Sequence, residues 1–387
     1  MKNILYLHAG AEMYGADKIL LELVSGLNQS KFHPIVILPE HGVLEEKLKK
    51  NNIETYVITY PILRRKYMNP SGIAYYLVNY RKKCNDIINF IKSKNLHIDI
   101  IHVNTMAVLE GIYLKKRLKT KLLWHVHEII MSPKLVAKFL SYCVGKYSDI
   151  IVTVSEAVRE NLIASKMVSS NKIRTIYNGI DSKVFNPNVK YDYLFKEWDI
   201  PKNSIRVGMI GRINSWKGQN DFLEATAPLL SQYSNLYIFI IGSAFKGQEW
   251  RVKKLKEKIS QLNNHKRIIF SEFRKDNYAV ENFFDILVLP STNPDPLPTV
   301  VLEAMGCGKA IVGYSHGGVR EMVKNNWNGL LAAPGSISSL QEKINDCLLE
   351  NKYIEMGKKS RKRQEKIFSI DSFISSFESV YAVLNEG

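Results

Sequence analysis

The sequence is poor in cysteine and has no long apolar run. Its four cysteines (Cys84, Cys143, Cys307 and Cys347) include no close pair among 387 residues, which argues against a disulfide framework and against a zinc site. No stretch approaches the length needed to span a bilayer, and the opening MKNILYLHAGAEMYG lacks a signal-peptide cleavage site. We therefore expect a cytoplasmic protein.

Acidic residues are also in short supply. Lys and Arg number 54 against 37 Asp and Glu, a net charge of +17. Residues 1–185 have a balance of +12 and the remainder a balance of +5. A basic first half is typical of proteins with an anionic partner such as nucleic acid, a phospholipid surface or a phosphorylated substrate. Its basic stretches at 63–67, 80–84 and 114–121 are either solvated helix faces or contacts with an anionic membrane.

Three motifs of nucleotide- and metal-binding proteins are missing. No G-x-G-x-x-G follows the first strand of either half, so a dinucleotide enzyme has little support. Gly10 and Gly15 have the spacing of a P-loop, but Ala16 and Asp17 stand where that loop needs Lys and Ser or Thr. The chain has no D-x-D, which disfavours a transferase that holds its nucleotide sugar through a metal ion.

What the sequence does contain is short apolar runs that alternate with helical stretches. Runs that are apolar on both faces are typical of parallel strands covered by helices. The pattern predicts an α/β fold of two doubly wound, Rossmann-like domains facing across a cleft. The predicted strands are 3–8, 34–38, 55–59, 99–104, 122–127, 149–154, 173–177, 206–211, 236–242, 267–270, 285–290, 310–314 and 329–333.

The domain boundaries follow from turn-rich composition. YNGIDSKVFNPNVKYD (177–192) contains Asn-Gly, Asp-Ser and Asn-Pro, and it is the natural linker. We place one domain at 1–185 and the other at 186–367. A last helix at 368–387 is expected to return to the N-terminal domain.

Two short motifs have competing interpretations. His125 and His127 face the same side of a strand, as a metal pair or as a functional or packing histidine beside a satisfied one. GYSHG (313–317) matches G-x-S-x-G, which would make Ser315 the nucleophile of a hydrolase. No histidine follows His316, so the expected base is missing, and a glycine-rich turn with close backbone approach is the alternative.

The strongest chemical signal begins with GRINSWKG (211–218). This segment places Arg212 just beyond a strand and Lys217 at the opening of the next helix. Fixed cations beside a helix N-terminus suit a pyrophosphate.

A second segment, PSTNPDPLPTVVLEAMGCG (290–308), leaves another strand at the same edge. Its prolines fix a loop, and Thr299 begins a helix whose first N–H groups point at a ligand. Glu303 is placed to accept hydrogen bonds from a diol such as ribose, and Asp295 to hold a second polyol. The residues therefore indicate a sugar nucleotide with one carboxylate at each end and its diphosphate on the cations.

These residues resemble the retaining glycosyltransferases of family 4, which have the GT-B fold. Asp295 and Glu303 are spaced as in that family's E-x7-E motif, with Asp in place of the first Glu. Five further segments resemble the family's glycine loop, His-Asp pair, interdomain markers, G-R-…-K-G and G-G-…-E-…-G-G-L stretch. They are EMYGADK (12–18), HVHE (125–128), VTVSEAVRENL with NGID (152–162, 178–181), GRINSWKG (211–218) and HGGVREMVKNNWNGLLAAP (316–334).

The resemblance implies a role for each matching residue. Arg212 and Lys217 would bind the donor diphosphate, Glu303 the ribose and Asp295 the hydroxyls of the donor sugar. Gly15 would bring backbone N–H groups to the phosphate, and His127 would lie in the cleft near the donor sugar. The implied catalytic residues are Asp295, His127, Arg212 and Lys217, and the implied donor-binding residues are Gly15, Arg212, Lys217, Asp295, Leu297, Thr299, Val300 and Glu303.

The activity implied is that of a retaining hexosyltransferase without a metal or other cofactor. It would move a sugar from a nucleoside diphosphate, bound by 186–367, to a growing capsule or O-antigen glycan, bound by 1–185. The expected acceptor is linked to a polyprenyl diphosphate, which would bring the enzyme to the inner face of an anionic membrane as a peripheral protein; nucleic acid is not an expected partner. The alternatives are an esterase that uses Ser315 and a non-catalytic module that binds a nucleotide sugar or nucleic acid.

Overall fold

A computed structural model describes residues 1–64, 67 and 69–384. The chain divides into two compact units, one formed by Met1–Asn178 with Ile370–Gly387 and the other by Gly179–Ser369. The crossing into the second unit lies inside the predicted linker 177–192. Within the described residues, no helix combines the length and the apolar character that crossing a bilayer requires.

The first unit is built on a seven-stranded parallel sheet. Its strand order is β3-β2-β1-β4-β5-β6-β7, so the order reverses between β1 and β4. The strands are β1 Lys2–Leu7, β2 Phe32–Leu38, β3 Glu54–Val57, β4 Ile100–Val103, β5 Lys121–Val126, β6 Ile150–Thr153 and β7 Ile173–Thr175.

Helices connect and cover this sheet. They are α1 Gly15–Gly26, α2 Val43–Lys50, α3 Pro70–Ser93, α4 Glu110–Leu118, α5 Lys134–Tyr147, α6 Glu156–Ala164 and, from the end of the chain, α16 Ile370–Leu384. Helix α16 repeats buried apolar residues at Phe373, Phe377, Tyr381 and Leu384, a helical spacing that gives one inward stripe. The stripe packs on the core of β1 and α1, and the Tyr381 hydroxyl lies 2.9 Å from that of Tyr6.

The second unit repeats the design with six parallel strands. Their order is β10-β9-β8-β11-β12-β13, with the reversal between β8 and β11. The strands are β8 Ile205–Ile210, β9 Leu236–Ile241, β10 Ile268–Ser271, β11 Ile286–Leu289, β12 Ala310–Tyr314 and β13 Gly329–Ala332. The helices are α7 Tyr193–Glu197, α8 Gln219–Thr226, α9 Leu229–Gln232, α10 Trp250–Ser260, α11 Asn277–Phe283, α12 Thr299–Gly306, α13 Val319–Met322, α14 Ile337–Leu348 and α15 Lys352–Ile367.

All thirteen predicted strands are confirmed, with ends that shift by one or two residues. Strands β4 and β11 are buried along their whole length, as expected for strands covered on both faces. Some strands begin one or two residues before the predicted run, and others end where that run continues into the following loop. At the ends of β1, β5 and β8 those extra residues are His8, His127 and Gly211, which belong to the sites described below.

A buried carboxyl lies at the start of α4. Glu110 is fully buried, and no side chain in the described ranges hydrogen-bonds to its oxygens; the backbone N–H groups of Leu109 and Glu110 are the polar groups beside it. Tyr76, Tyr80 and Cys84 of α3 lie near it. Burial raises the pKa of Glu110 to about 8, so the folded protein keeps this side chain protonated at neutral pH.

We therefore predict that Glu110 makes the folded state less stable as the pH rises. In the unfolded chain this carboxyl loses its proton near pH 4.5, whereas in the fold it holds the proton to about pH 8. Stability should fall between these values and level off above, by an amount on the order of several kcal/mol. Glu110→Gln should flatten the decline in apparent melting temperature between pH 5 and pH 8, with the exposed Glu46→Gln as control. An equal decline in the wild type and in Glu110→Gln would contradict the prediction.

Candidate functional site

Both sheets reverse their strand order at one point, and polar side chains gather at the carboxyl edge beside each reversal. In open parallel sheets this is where ligands bind, because the two neighbouring connections leave to opposite faces and open a crevice. The second unit has its reversal between β8 and β11, and the first between β1 and β4.

In the second unit, the loop after β8 turns sharply into α8. Gly218 has a φ of 77°, a left-handed conformation that favours glycine, and a Cβ at this position would overlap the carbonyl oxygen of Pro290. The Asn214 carboxamide oxygen accepts hydrogen bonds from the backbone N–H of Trp216 at 3.0 Å and Lys217 at 2.9 Å. The backbone of Lys217 is therefore fixed before any ligand arrives.

The structure brings Lys217 and Asp295 into direct contact, although 78 residues separate them in the chain. The Lys217 ammonium donates a hydrogen bond to Asp295 Oδ2, and both side chains are more than four-fifths buried. The loops that carry them are also joined, since the N–H of Thr292 donates to the carbonyl oxygen of Trp216 at 2.7 Å. Cation and carboxylate thus form one preorganised charged pair at the edge of the sheet.

The G-x-S-x-G segment supports the backbone of Asp295. Gly317 has a φ of 59°, and a Cβ there would overlap the Asp295 carbonyl oxygen. The N–H of Gly318 donates to that same oxygen at 2.8 Å. The close backbone approach expected of a glycine-rich turn is therefore present, and the segment that contains Ser315 holds the Asp295 loop in place.

Helix α12 begins beside this pair. Thr299 and Val300 form its first turn, where backbone N–H groups have no partner within the helix, while Leu297 is buried in the loop before it. Glu303, one turn further on, is 2% exposed, and its Oε2 accepts a hydrogen bond from the Asn277 carboxamide at 3.1 Å. Asn277 opens α11, and sequence patterns gave no sign of its contact with Glu303.

Arg212 takes a different position from Lys217. Its guanidinium stacks on the ring of Phe245 in the loop after β9, 3.5 Å from the ring centroid. Its carbonyl oxygen accepts a hydrogen bond from the Gln219 carboxamide at 3.0 Å. The two predicted cations therefore belong to the same loop but have different partners. The Asp295 carboxylate holds Lys217, and the ring of Phe245 holds Arg212.

His316, which belongs to the G-x-S-x-G segment, was not among the predicted site residues. It follows β12 beside Asp295, and no side chain within the described part of the chain hydrogen-bonds to its ring nitrogens; the backbone of Ser291 lies next to the ring. Burial lowers the pKa of His316, and the nearby Asp295 carboxylate opposes that shift. The imidazole is therefore neutral at physiological pH and adds an uncharged polar group to the edge occupied by Asp295.

In the first unit, the glycine loop ends at α1, with Gly15 as its first helical residue. Asp17 follows in the same turn and is buried. Its Oδ2 accepts the backbone N–H of Tyr14 at 2.8 Å, and its Oδ1 accepts a hydrogen bond from His8 Nε2 at 2.7 Å. Asp17 therefore joins the glycine loop to the end of β1.

The hydrogen bonds continue from His8 to His127. The Asn104 carboxamide nitrogen donates to His8 Nδ1 at 3.0 Å, and its oxygen accepts from His125 Nδ1 at 3.1 Å and from His127 Nε2 at 3.0 Å. We assign the proton of His127 to Nε2, which then donates to the Asn104 oxygen and leaves Nδ1 as an acceptor. His127 Nε2 also lies 3.2 Å from His125 Nδ1, and in the other tautomer it would accept a hydrogen bond from that nitrogen. Both candidate metal-binding histidines are thus hydrogen-bonded to one carboxamide.

Burial keeps these imidazoles uncharged. It lowers the pKa of His127 to about 3, assisted by the neighbouring His8 and opposed by Asp17. Burial likewise holds the pKa of His125 well below its ordinary value. Within residues 1–64, 67 and 69–384, no three His, Cys, Asp or Glu side chains are grouped as ligands of a metal ion.

Glu128 closes this edge of the first sheet. Its carboxylate accepts hydrogen bonds from the Thr105 hydroxyl and, at 3.1 Å, from the backbone N–H of His127. Burial raises the pKa of Glu128, and these hydrogen bonds oppose the rise. The side chain positions the backbone of His127.

Two protein families and several known proteins are similar to this chain. The family described as "Glycosyltransferase Family 4" matches residues 13–184, and "Glycosyl transferases group 1" matches residues 191–366. An uncharacterized glycosyltransferase from Methanocaldococcus jannaschii is 30% identical over 66% of this chain and 67% of its own. N,N'-diacetylbacillosaminyl-diphospho-undecaprenol alpha-1,3-N-acetylgalactosaminyltransferase from Campylobacter jejuni is 26% identical over 90% of each chain.

A solved structure shows the same fold over nearly the whole length. HepE from Anabaena, crystallised with UDP-glucose, superposes with a TM-score of 0.84 and covers 99% of this chain and 100% of its own at 22% identity. The chain belongs to the GT-B glycosyltransferases of the family 4 type. It is a glycosyltransferase, and the expected fold class is confirmed.

We predict that Asn104 sets the protonation of His127. In Asn104→Asp, a carboxylate beside His127 Nε2 should raise the pKa of this imidazole from about 3 by several units. Side-chain ¹⁵N NMR of histidine-labelled protein during a pH titration would show the shift, with the exposed His97 as internal reference. The wild-type spectrum should show His127 with its proton on Nε2; a proton on Nδ1, or an unchanged titration in Asn104→Asp, would contradict the assignment.

Proposed function

We propose that this glycosyltransferase moves a sugar, with retention of its anomeric configuration, from a nucleoside diphosphate to a lipid-linked surface glycan. The observation that carries the proposal is the arrangement at the edge of the second sheet. There, the buried pair Lys217–Asp295 lies beside α12, which carries the buried Glu303 one turn from its start. Cation, helix N-terminus and two carboxylates suit the charged and the polyol parts of a sugar nucleotide.

The names of the similar proteins support this choice of substrates. HepE was solved with UDP-glucose, a nucleoside diphosphate sugar. The Campylobacter enzyme is named for a sugar acceptor joined to undecaprenol through a diphosphate, and it matches this chain over 90% of its length. The proposed acceptor of the present enzyme has the same chemistry: a glycan on a polyprenyl diphosphate.

The donor diphosphate would lie across Lys217, Arg212 and the first turn of α12. In the free protein Asp295 neutralises Lys217, so the phosphate oxygens would share this ammonium with the carboxylate. The N–H groups of Thr299 and Val300 add donors that need no reorganisation. As the sugar leaves, negative charge grows on the diphosphate, and donors already aimed at it lower the barrier. Arg212, a helix N-terminus and the part of the Lys217 charge that Asp295 does not offset supply positive charge in the place of a divalent metal, so we propose a metal-independent reaction.

The carboxylates would hold the two polyol ends of the donor. Glu303 would accept hydrogen bonds from the ribose hydroxyls, with Asn277 fixing its orientation from 3.1 Å. Asp295 would accept hydrogen bonds from hydroxyls of the transferred sugar through Oδ1, because Oδ2 already accepts one from Lys217. Because Asp is one bond shorter than the Glu common at this position, the sugar must approach the backbone of the 293–298 loop more closely.

The first unit would contribute Gly15 and His127. Gly15 offers a backbone N–H at the start of α1 for the phosphate. His127 is neutral and keeps Nδ1 as an acceptor, so it can accept a hydrogen bond from a sugar hydroxyl. Because it is neutral, it adds no positive charge beside the reacting carbon. The acceptor hydroxyl would attack from the face that the diphosphate leaves, which gives retention. A lipid-linked acceptor would hold the enzyme at the inner face of the membrane.

Replacing either cation tests the diphosphate site. Arg212→Ala and Lys217→Ala should each reduce transfer by about 10²–10³-fold, the usual effect of losing one preorganised donor of charge stabilisation. Lys258→Ala removes another paired lysine of the same unit, one on the surface of α10, and should leave transfer unchanged. The measurement is turnover of a panel of nucleotide sugars, with thermal unfolding to confirm the fold. Near-normal turnover in a folded Lys217→Ala protein would exclude the donor site from this edge.

Substitution of Ser315 and removal of metal ions test whether the reaction is a metal-independent transfer without a serine nucleophile. Ser315→Ala should keep most of the activity, because the turn supports Asp295 through its backbone. Excess chelator should likewise leave turnover nearly unchanged. A covalent adduct on Ser315 would favour ester hydrolysis instead, and a strict metal requirement would overturn the metal-independent mechanism.

A further inference from the structure

Two helices of the first unit expose large apolar side chains on their outer faces. In the first two turns of α3, Ile73, Tyr75, Leu77 and Val78 are between 49% and 72% exposed. On α5, Leu135 is 83% exposed, and Phe139 and Tyr142 are also on the surface. These side chains lie largely outside the core of their own unit, so packing of the core does not account for their apolar character.

The exposed residues of α5 form a line along the helix. Leu135, Phe139, Tyr142 and Lys146 follow each other at steps of four, three and four residues, which places them on one face. The opposite face of the same helix is buried and includes Leu140 and Val144. Helix α5 is therefore apolar on both sides, although only one side meets the core of the unit.

Helices α3, α4 and α5 cover the same face of the sheet, because the connections β3–β4, β4–β5 and β5–β6 all step in one direction along the strand order. Tyr76 of α3 lies close to both Glu110 of α4 and Cys143 of α5, so the inner sides of the three helices meet. Each of these helices follows a parallel strand, and its N-terminal end therefore lies at the carboxyl edge of the sheet. The exposed residues, being in the N-terminal parts of α3 and α5, form one surface at that edge, which we call the α3–α5 face.

Positive charge is interleaved with the apolar residues on this face. Lys134 and Lys138 on α5 and Arg81 and Lys82 on α3 are exposed, and none forms an ion pair with any side chain in the described ranges. Neither α5 nor residues 70–85 contain an acidic residue. Lysine is depleted from the cores of protein–protein interfaces, whereas apolar residues flanked by Lys and Arg suit the surface of an anionic bilayer.

We propose that the α3–α5 face docks on an anionic lipid bilayer without crossing it. Leu135, Phe139, Leu77 and Val78 enter the boundary between headgroups and acyl chains, and the lysines and arginines stay at the level of the lipid phosphates. The biological purpose of this docking depends on the proposed lipid-linked acceptor, since docking at the carboxyl edge of the first sheet brings that edge to the membrane. The evidence for the docking is the exposed residues themselves.

The proposed membrane-binding face differs from the set of basic stretches that charge alone indicated in the sequence. Of the basic stretches singled out in the sequence, 80–84 contributes Arg81 and Lys82 to the α3–α5 face. The stretch 114–121 lies at the C-terminal end of α4, at the opposite edge of the sheet. Arg64 of the 63–67 stretch lies 3.8 Å from Glu40, while Arg65 and Lys66 lie outside the described residues. The 114–121 stretch therefore provides a control, because the same number of lysines can be replaced there, away from the α3–α5 face.

The test is sedimentation of the purified protein with vesicles of mixed phosphatidylcholine and phosphatidylglycerol, and with vesicles of phosphatidylcholine alone. Wild-type protein should bind the mixed vesicles at low salt and lose most of this binding at high salt. Leu135→Glu/Phe139→Glu should weaken binding by roughly two powers of ten, because two apolar anchors are lost and two like charges are added. Lys134→Gln/Lys138→Gln should weaken it about ten-fold, whereas Lys116→Gln/Lys119→Gln should leave it unchanged.

The outcomes separate docking from the proposed activity. Transfer from donor to a water-soluble acceptor, measured without vesicles, should be the same in all these variants and in the wild type. Wild-type protein that ignores mixed vesicles overturns the docking proposal, even if transfer is normal. So does a wild-type dimer that Leu135→Glu/Phe139→Glu converts to a monomer without changing vesicle binding, because the face would then bind a second copy. Vesicle binding without any sugar transfer would leave the docking intact and remove the proposed function.

Discussion

Parallel strand pairing is the constraint on which both units depend. Parallel neighbours cannot be joined by a tight turn, so each connection crosses a face of the sheet as a helix and returns to the opposite edge. Every strand then ends at the same edge, and every following helix begins there. Residues far apart in the chain meet at that edge for this reason alone: Lys217 after β8 and Asp295 after β11, or His8 after β1 and Asn104 after β4.

The two edges organise their polar groups by different physical means. At the second sheet, a cation and a carboxylate neutralise each other in a mostly buried pair, so neither charge is left uncompensated in the free protein. At the first sheet, burial removes the charge from the imidazoles of His125 and His127, and one carboxamide orients them by hydrogen bonds. The edge of the second sheet is therefore suited to an anion, and the edge of the first sheet to neutral hydrogen-bonding groups.

Local backbone requirements explain several residues that motifs alone leave puzzling. The G-x-S-x-G segment is present because Gly317 and Gly318 must pass close to the Asp295 backbone, and the serine between the flanking glycines needs no chemical role. The prolines around Asp295 hold the same loop from within. Asp17, which follows the glycine loop, orients His8 through one oxygen and closes the turn through the other.

The sequence by itself determined the thirteen strands, because alternating helices and two-faced apolar runs leave few other folds. It also determined the family, because Arg212, Lys217, Asp295 and Glu303 lie at recognisable spacings after strands. Only the tertiary structure decided that Lys217 pairs with Asp295 while Arg212 stacks on Phe245, since both choices depend on side chains from different strands. The tertiary structure likewise revealed Asn277 beside Glu303, Asn104 between three histidines, and the apolar outer face of α5. A one-dimensional pattern shows which residues are apolar or polar, but burial and contact arise only when the helices and strands pack.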